Sequence, residues 1–147
     1  MIAFSVLLFP GFETLDAVGP VDIIGHLPQF YEIHFYSPGG GLVKSAHGVE
    51  VLTESLAAYQ PGGVLLVPGG LATRQLVVDP LFLQQLKKTG QKSMYLLGVC
   101  TGSVLLAAAG FLNNKKATSN KNAFAWAQQI APQVKRQKKA RWVKEKQ

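Results

Sequence analysis

The residues best placed to do chemistry are Gly98-Val99-Cys100-Thr101-Gly102-Ser103. An apolar run over residues 94–99 leads into them, and a small-residue apolar segment over 101–109 follows without a break. That order predicts a buried strand turning sharply into a helix, the geometry of a nucleophile elbow, which lifts one side chain above the edge of a sheet. The side chain so presented is Cys100, the single cysteine of the chain. A helix start carries partial positive charge and free N–H groups, so the sequence predicts a thiol shifted toward the thiolate. A lone cysteine is more often a buried structural residue. The small residues on both sides, which so tight a turn requires, favour the nucleophile here.

Two further segments point to the same edge. Val67-Pro68-Gly69-Gly70 ends another apolar run, and ligands of open α/β sheets bind beyond the carboxyl ends of the strands. Glycines there let backbone N–H groups approach a substrate, and the expected oxyanion hole takes one half from this glycine pair and the other from the Thr101 amide. Glu13 and Asp16 follow the first apolar run and, three apart, share a broad helix face. Either can exchange a proton with the cysteine. Glu13 also reads simply as a charge favoured at a helix N-terminus, whereas Asp16 lies deeper in an apolar helix and is the preferred acid.

The elements that must position these groups follow from periodicity. Residues 2–9 form an uncharged apolar run, expected as a strand buried on both faces of a parallel sheet. Residues 13–27 read as a helix with Leu15, Val18, Ile23 and Ile24 on one side and Pro20 kinking or restarting it. Residues 31–36 alternate as a second strand, and residues 42–43 and 49–51 flank a turn at His47-Gly48 as a small hairpin. Residues 63–67 are a further strand. Asp79-Pro80 signals an N-cap and a helix to about Thr89. A short strand is expected at 115–119, a helix at 122–130 and a last strand at 140–143. Strands that alternate with helices and read as continuous apolar runs predict an α/β sandwich around a mainly parallel sheet, in one domain over residues 1–147.

Composition agrees: 147 residues, 48% hydrophobic and 16% charged, are enough for a core and unlike a disordered chain. No uncharged stretch approaches the roughly 20 residues of a membrane span. The N-terminus lacks the basic start and cleavage signal of a leader peptide. One cysteine excludes an internal disulfide or a multi-cysteine zinc site and suits a reducing compartment, so a cytoplasmic location is expected. The net charge of +7 is local: residues 115–147 hold ten basic residues against Glu145 alone, while residues 1–114 are slightly acidic. With only Trp142 interleaved, this segment reads as a solvated face and tail, and no nucleic-acid partner is expected despite it.

Together, the stretch from Phe9 to Pro20 with its Asp16-x-x-Gly19-Pro20 segment, Val67-Pro-Gly-Gly70 and Gly98-Val-Cys100-Thr-Gly-Ser resemble the ThiJ/PfpI superfamily of class I glutamine amidotransferase-like proteins. They are most similar to its bacterial isonitrile hydratase-like branch, as is Ala140-Arg-Trp-Val143. The resemblance implies a flavodoxin-like three-layer sandwich, with relatives continuing for several tens of residues through C-terminal elements not seen here. It implies Cys100 as nucleophile, Asp16 as the acid that contacts it, and Gly70 and Thr101 as backbone donors, with Gly69 beside them. It implies no metal, no organic cofactor, a small-molecule substrate and a homodimer. Many relatives carry a His after the segment matching Ala117-Thr-Ser119; here Asn120 stands there, unable to take up a proton but able to hydrogen-bond a substrate. His26, His34 and His47 do not match that position and read as ordinary loop or strand residues. The implied activity is addition of water to an isonitrile. The alternatives are glyoxalase or deglycase chemistry on 2-oxoaldehydes and a non-enzymatic redox-sensing or chaperone role.

Overall fold

The computed structural model describes residues 1–146. Its frame is a six-stranded sheet in the order β3-β4-β2-β1-β5-β6. The strands are β1 (Ile2–Leu7), β2 (Tyr31–Ser37), β3 (Gly41–Lys44), β4 (Glu50–Ser55), β5 (Val64–Val67) and β6 (Tyr95–Gly98). β1 pairs in parallel with β2 and β5, β2 with β4, and β5 with β6; only the β3–β4 hairpin is antiparallel. The helices are α1 (Thr14–Gly25), α2 (Thr73–Leu76), α3 (Pro80–Gly90), α4 (Gly102–Ala108) and α5 (Phe124–Ile130). A separate parallel pair, β7 (Lys116–Ala117) with β8 (Lys135–Arg136), lies beyond α4. This is the mixed α/β fold with a mostly parallel central sheet that the apolar runs predict.

The core follows from those runs. Val6 and Leu7 of β1 and Leu65 and Val67 of its neighbour β5 are fully buried, as are Val104 and Leu105 of α4. Such continuous apolar burial marks strands covered on both faces. Asp79 caps α3 as expected, its Oδ1 accepting from the Leu81 and Phe82 amides at 3.0 and 3.1 Å. No helix among the described residues is long and apolar enough to cross a membrane.

Four local expectations are corrected. α1 does not restart at Pro20: it runs unbroken through it, because a proline at that position removes only the bond to the Asp16 carbonyl. Its Leu15, Val18 and Ile23 face outward, while Ala17 is buried and Val21 and Ile24 pack partly against the core, so the packed face of the helix is a different one from that expected. β6 is an edge strand rather than a buried one; Tyr95 is 55% exposed, on a broad groove of about 1300 Å³ also lined by residues 141–146. Residues 140–143 form no strand. The Ala140 carbonyl is taken by the Thr118 hydroxyl and the Lys121 ammonium, and the late strand pairing falls earlier, at β8.

Candidate active site

Three chain segments converge at the carboxyl edge of the sheet. β6 ends at Gly98, α4 begins at Gly102, and Cys100 turns the chain between them with φ of 55°. Left-handed backbone at a residue other than glycine costs about 1–3 kcal/mol and persists only where its surroundings impose it. Here they do: the Cys100 carbonyl accepts hydroxyl hydrogen bonds from Ser103 at 2.9 Å and Ser119 at 3.1 Å. The turn also depends on Gly102, where a Cβ would run into the Val67 carbonyl. The elbow is therefore built by β5 and the β7 region as much as by its own residues.

Asp16, in the first turn of α1, points into the same edge. Its Oδ2 accepts from the Gly69 amide at 3.0 Å, and its carboxyl lies close enough to the Cys100 thiol for each group to shift the other's ionisation. Gly69 must be glycine for this approach, because a Cβ would stand 2.6 Å from the Thr101 nitrogen and 3.0 Å from Asp16 Oδ2. Burial pushes the Asp16 carboxyl above its ordinary value, with the nearby Glu13 charge adding to the effect. The thiol is also pushed up, first by burial and then by the Asp16 charge, although Thr101 and the Asn120 side chain donate toward the sulfur. This corrects the expected preformed thiolate. α4 is only seven residues long, and the charge beside the sulfur is a carboxylate. At neutral pH the thiol therefore keeps its proton until a base takes it, and Asp16 is the carboxyl beside it.

The expected oxyanion donors are arranged differently. The Gly70 amide donates to the Thr101 hydroxyl oxygen at 3.0 Å, and the Gly69 amide is committed to Asp16. The Thr101 amide is the backbone donor that faces the sulfur. Thr101 Oγ1 sits in a network with the fully buried Thr73, whose hydroxyl is 2.7 Å from the Gly70 carbonyl and 3.0 Å from Thr101 Oγ1. Asn120 Oδ1 accepts from the Asn122 and Ala123 amides, which turns its NH₂ group toward Cys100.

Cys100, Thr101, Gly70 and Asn120 line a cleft of about 230 Å³ together with Glu13, Thr73, Arg74 and Asn122. At ~30 Å³ of liquid per water this is the space of about eight waters, so it suits a small substrate. Thr73 and Arg74 carry no motif and were not legible beforehand. Nor was His47: the β3–β4 turn brings its Nδ1 within 3.0 Å of the Thr14 hydroxyl and 3.6 Å of the Glu13 carboxylate, at the rim of the cleft. His26 and His34 take no part.

Residues 4–146 match the DJ-1/PfpI family. The chain belongs to that family. It is 33% identical over 120 residues to the isonitrile hydratase of Pseudomonas putida, covering 81% of this chain and 52% of that protein. It is 32% identical over 136 residues to the HTH-type transcriptional regulator CdhR of Pseudomonas aeruginosa, covering 89% of this chain and 40% of that one. The chain thus spans about half the length of these curated relatives, or less. A crystal structure of a ThiJ/PfpI family protein from Pseudomonas syringae superposes with a TM-score of 0.81 at 29% identity, over 98% of this chain and 59% of that one. The relatives that this chain matches thus include an enzyme and a regulator.

Proposed function

We propose that this DJ-1/PfpI protein hydrates a small isonitrile, R–N≡C, to the N-substituted formamide through a covalent intermediate on Cys100. The observation that carries the reading is the pairing of a half-buried thiol with a half-buried carboxyl that has no better partner than one backbone amide. Asp16 takes the thiol proton as sulfur adds to the terminal carbon of the isonitrile, and returns that proton to the same carbon, leaving a thioimidate, R–N=CH–S–Cys100. Water then adds to this carbon, its proton passing through Asp16 to nitrogen. The tetrahedral adduct loses its hydroxyl proton to Asp16, the C–S bond breaks, the formamide leaves and sulfur regains its proton. One nucleophile and one proton carrier suffice. The resemblance to the Pseudomonas putida isonitrile hydratase supports the electrophile chosen. Asn120, which cannot carry a proton, agrees with a mechanism that uses Asp16 alone for that purpose.

The test is turnover of an alkyl isonitrile against methylglyoxal, with Cys100→Ser in parallel. Formamide appears with the native protein and is lost in the serine variant, because serine without a base is a poor nucleophile. Loss of methylglyoxal without turnover of the isonitrile would overturn the reading in favour of 2-oxoaldehyde chemistry. Isonitrile turnover that survived in Cys100→Ser would overturn the covalent route.

A further inference from the structure

Arg74 lies on the wall of the Cys100 cleft and is the basic residue among those that line it. Its guanidinium is stacked over the Trp126 ring of α5, 4.4 Å from the ring centroid. A cation–π contact of this kind holds the guanidinium against the indole without using its N–H groups. Among the described residues no carboxylate comes within 4.0 Å of Arg74 and no protein acceptor takes its side-chain hydrogen bonds. The other charge on the cleft wall, Glu13, has His47 3.6 Å away. An exposed guanidinium held against Trp126, with no protein acceptor and on the wall of a small cleft that contains a nucleophile, is suited to a planar anion.

We propose that Arg74, held by Trp126, is a specificity-determining residue that makes the Cys100 cleft select small electrophiles bearing a carboxylate. The assignment rests on substrate meeting Cys100 in this cleft, and it holds whichever electrophile the carboxylate is attached to. The guanidinium binds the carboxylate of the substrate, and the Asn120 and Asn122 side chains supply further polar contacts along the same wall.

Alkylation of the single cysteine tests this without relying on turnover. The rates of modification by iodoacetate and by iodoacetamide, two reagents of similar size that differ in charge, are followed by intact mass at low ionic strength. The iodoacetate-to-iodoacetamide ratio of the native protein exceeds that of Arg74→Gln by about fivefold, the order of one unit-charge interaction at contact in a solvated cleft. The doubly substituted K144Q/K146Q protein, which removes charge from the broad groove on the other side of Cys100, keeps the native ratio. An unchanged ratio in Arg74→Gln overturns the proposal while leaving the Cys100 reading standing. A fall in K144Q/K146Q instead of Arg74→Gln overturns it in favour of the C-terminal lysines. Failure of both reagents to modify the native thiol overturns the assignment of Cys100 itself, and the anion preference with it.

Discussion

The thiol proton of Cys100, with Asp16 beside it to receive it, is the smallest unit on which the chemistry depends. Burial raises the cost of charging both groups, and the Asp16 charge adds to that cost at the thiol. Replacing Asp16 with Asn keeps the acceptor for the Gly69 amide but removes the charge and the proton carrier. Turnover is expected to fall roughly 10²–10⁴-fold, the usual worth of a general acid–base. Alkylation of Cys100 at neutral pH is expected to rise, because the nearby negative charge that pushes the thiol up is gone. A structural role alone would not move the two readouts in opposite directions. Stability carries its own sign. A carboxyl whose folded pKa lies above its unfolded value opposes folding once the pH passes the unfolded value, and in full above the folded one. Asp16→Asn is therefore more thermally stable than the native chain at pH 7, and the difference closes as the solution is acidified below the ordinary carboxylate range. A melting temperature unchanged at pH 7, or lowered, would contradict the burial cost assigned to Asp16.

At the scale of elements, the site exists because β5 and β6 run parallel and end together, Val67 pairing with Gly98. The Pro68-Gly69-Gly70 loop and the Cys100 elbow therefore emerge side by side. Their contact is close: Gly102, at the start of α4, packs on the Val67 and Pro68 carbonyls, which are backbone and cannot turn aside. Gly102→Ala is expected to cost about 1–3 kcal/mol through overpacking, seen as a lower urea midpoint. It also displaces Cys100, so isonitrile turnover and iodoacetamide reactivity change with it. An alanine variant with native midpoint and native reactivity would show that the two loops are less tightly joined than the geometry requires. Motifs at these strand ends were legible from residue type and spacing, because glycine and an apolar run report directly on tight turns and buried strands. The pairing of Arg74 with Trp126 was not, because α2 and α5 meet only through the packing around α4.

For the whole molecule, the outward face of α1 is the most informative surface. Leu15 is 73% and Ile23 68% exposed, and the hairpin adds Leu42 and Leu52, also exposed. Exposed large apolar residues on neighbouring elements are candidates for partner contacts. We propose a homodimer through α1 and the β3–β4 hairpin, a protruding pair suited to a symmetric contact. The basic stretch over 115–147 opposes association of that part of the surface, although 0.15 M salt screens charge beyond about 8 Å. Sedimentation velocity is expected to give a dimer at low and high salt, and Ile23→Asp to give a monomer. A native monomer under both conditions would refute the contact, and association only at high salt would move it to the basic segment.

The sequence by itself determined the strand–helix alternation, the parallel sheet and the presence of a cysteine, an acid and a glycine pair at one edge of it. These are local properties: apolar runs, turn residues and the fact that parallel strands deliver their carboxyl ends to the same side. Tertiary structure decided the rest. It set the protonation of the thiol, because burial and the Asp16 charge outweigh a short helix. It turned Leu15 and Ile23 outward, because α1 packs through Ala17, Val21 and Ile24. It left β6 at the edge, committed the Gly70 amide to the Thr101 hydroxyl, and stacked Arg74 on Trp126 at the mouth of the cleft. Each of these depends on which residues distant in the chain become neighbours, and no pattern of spacing carries that information.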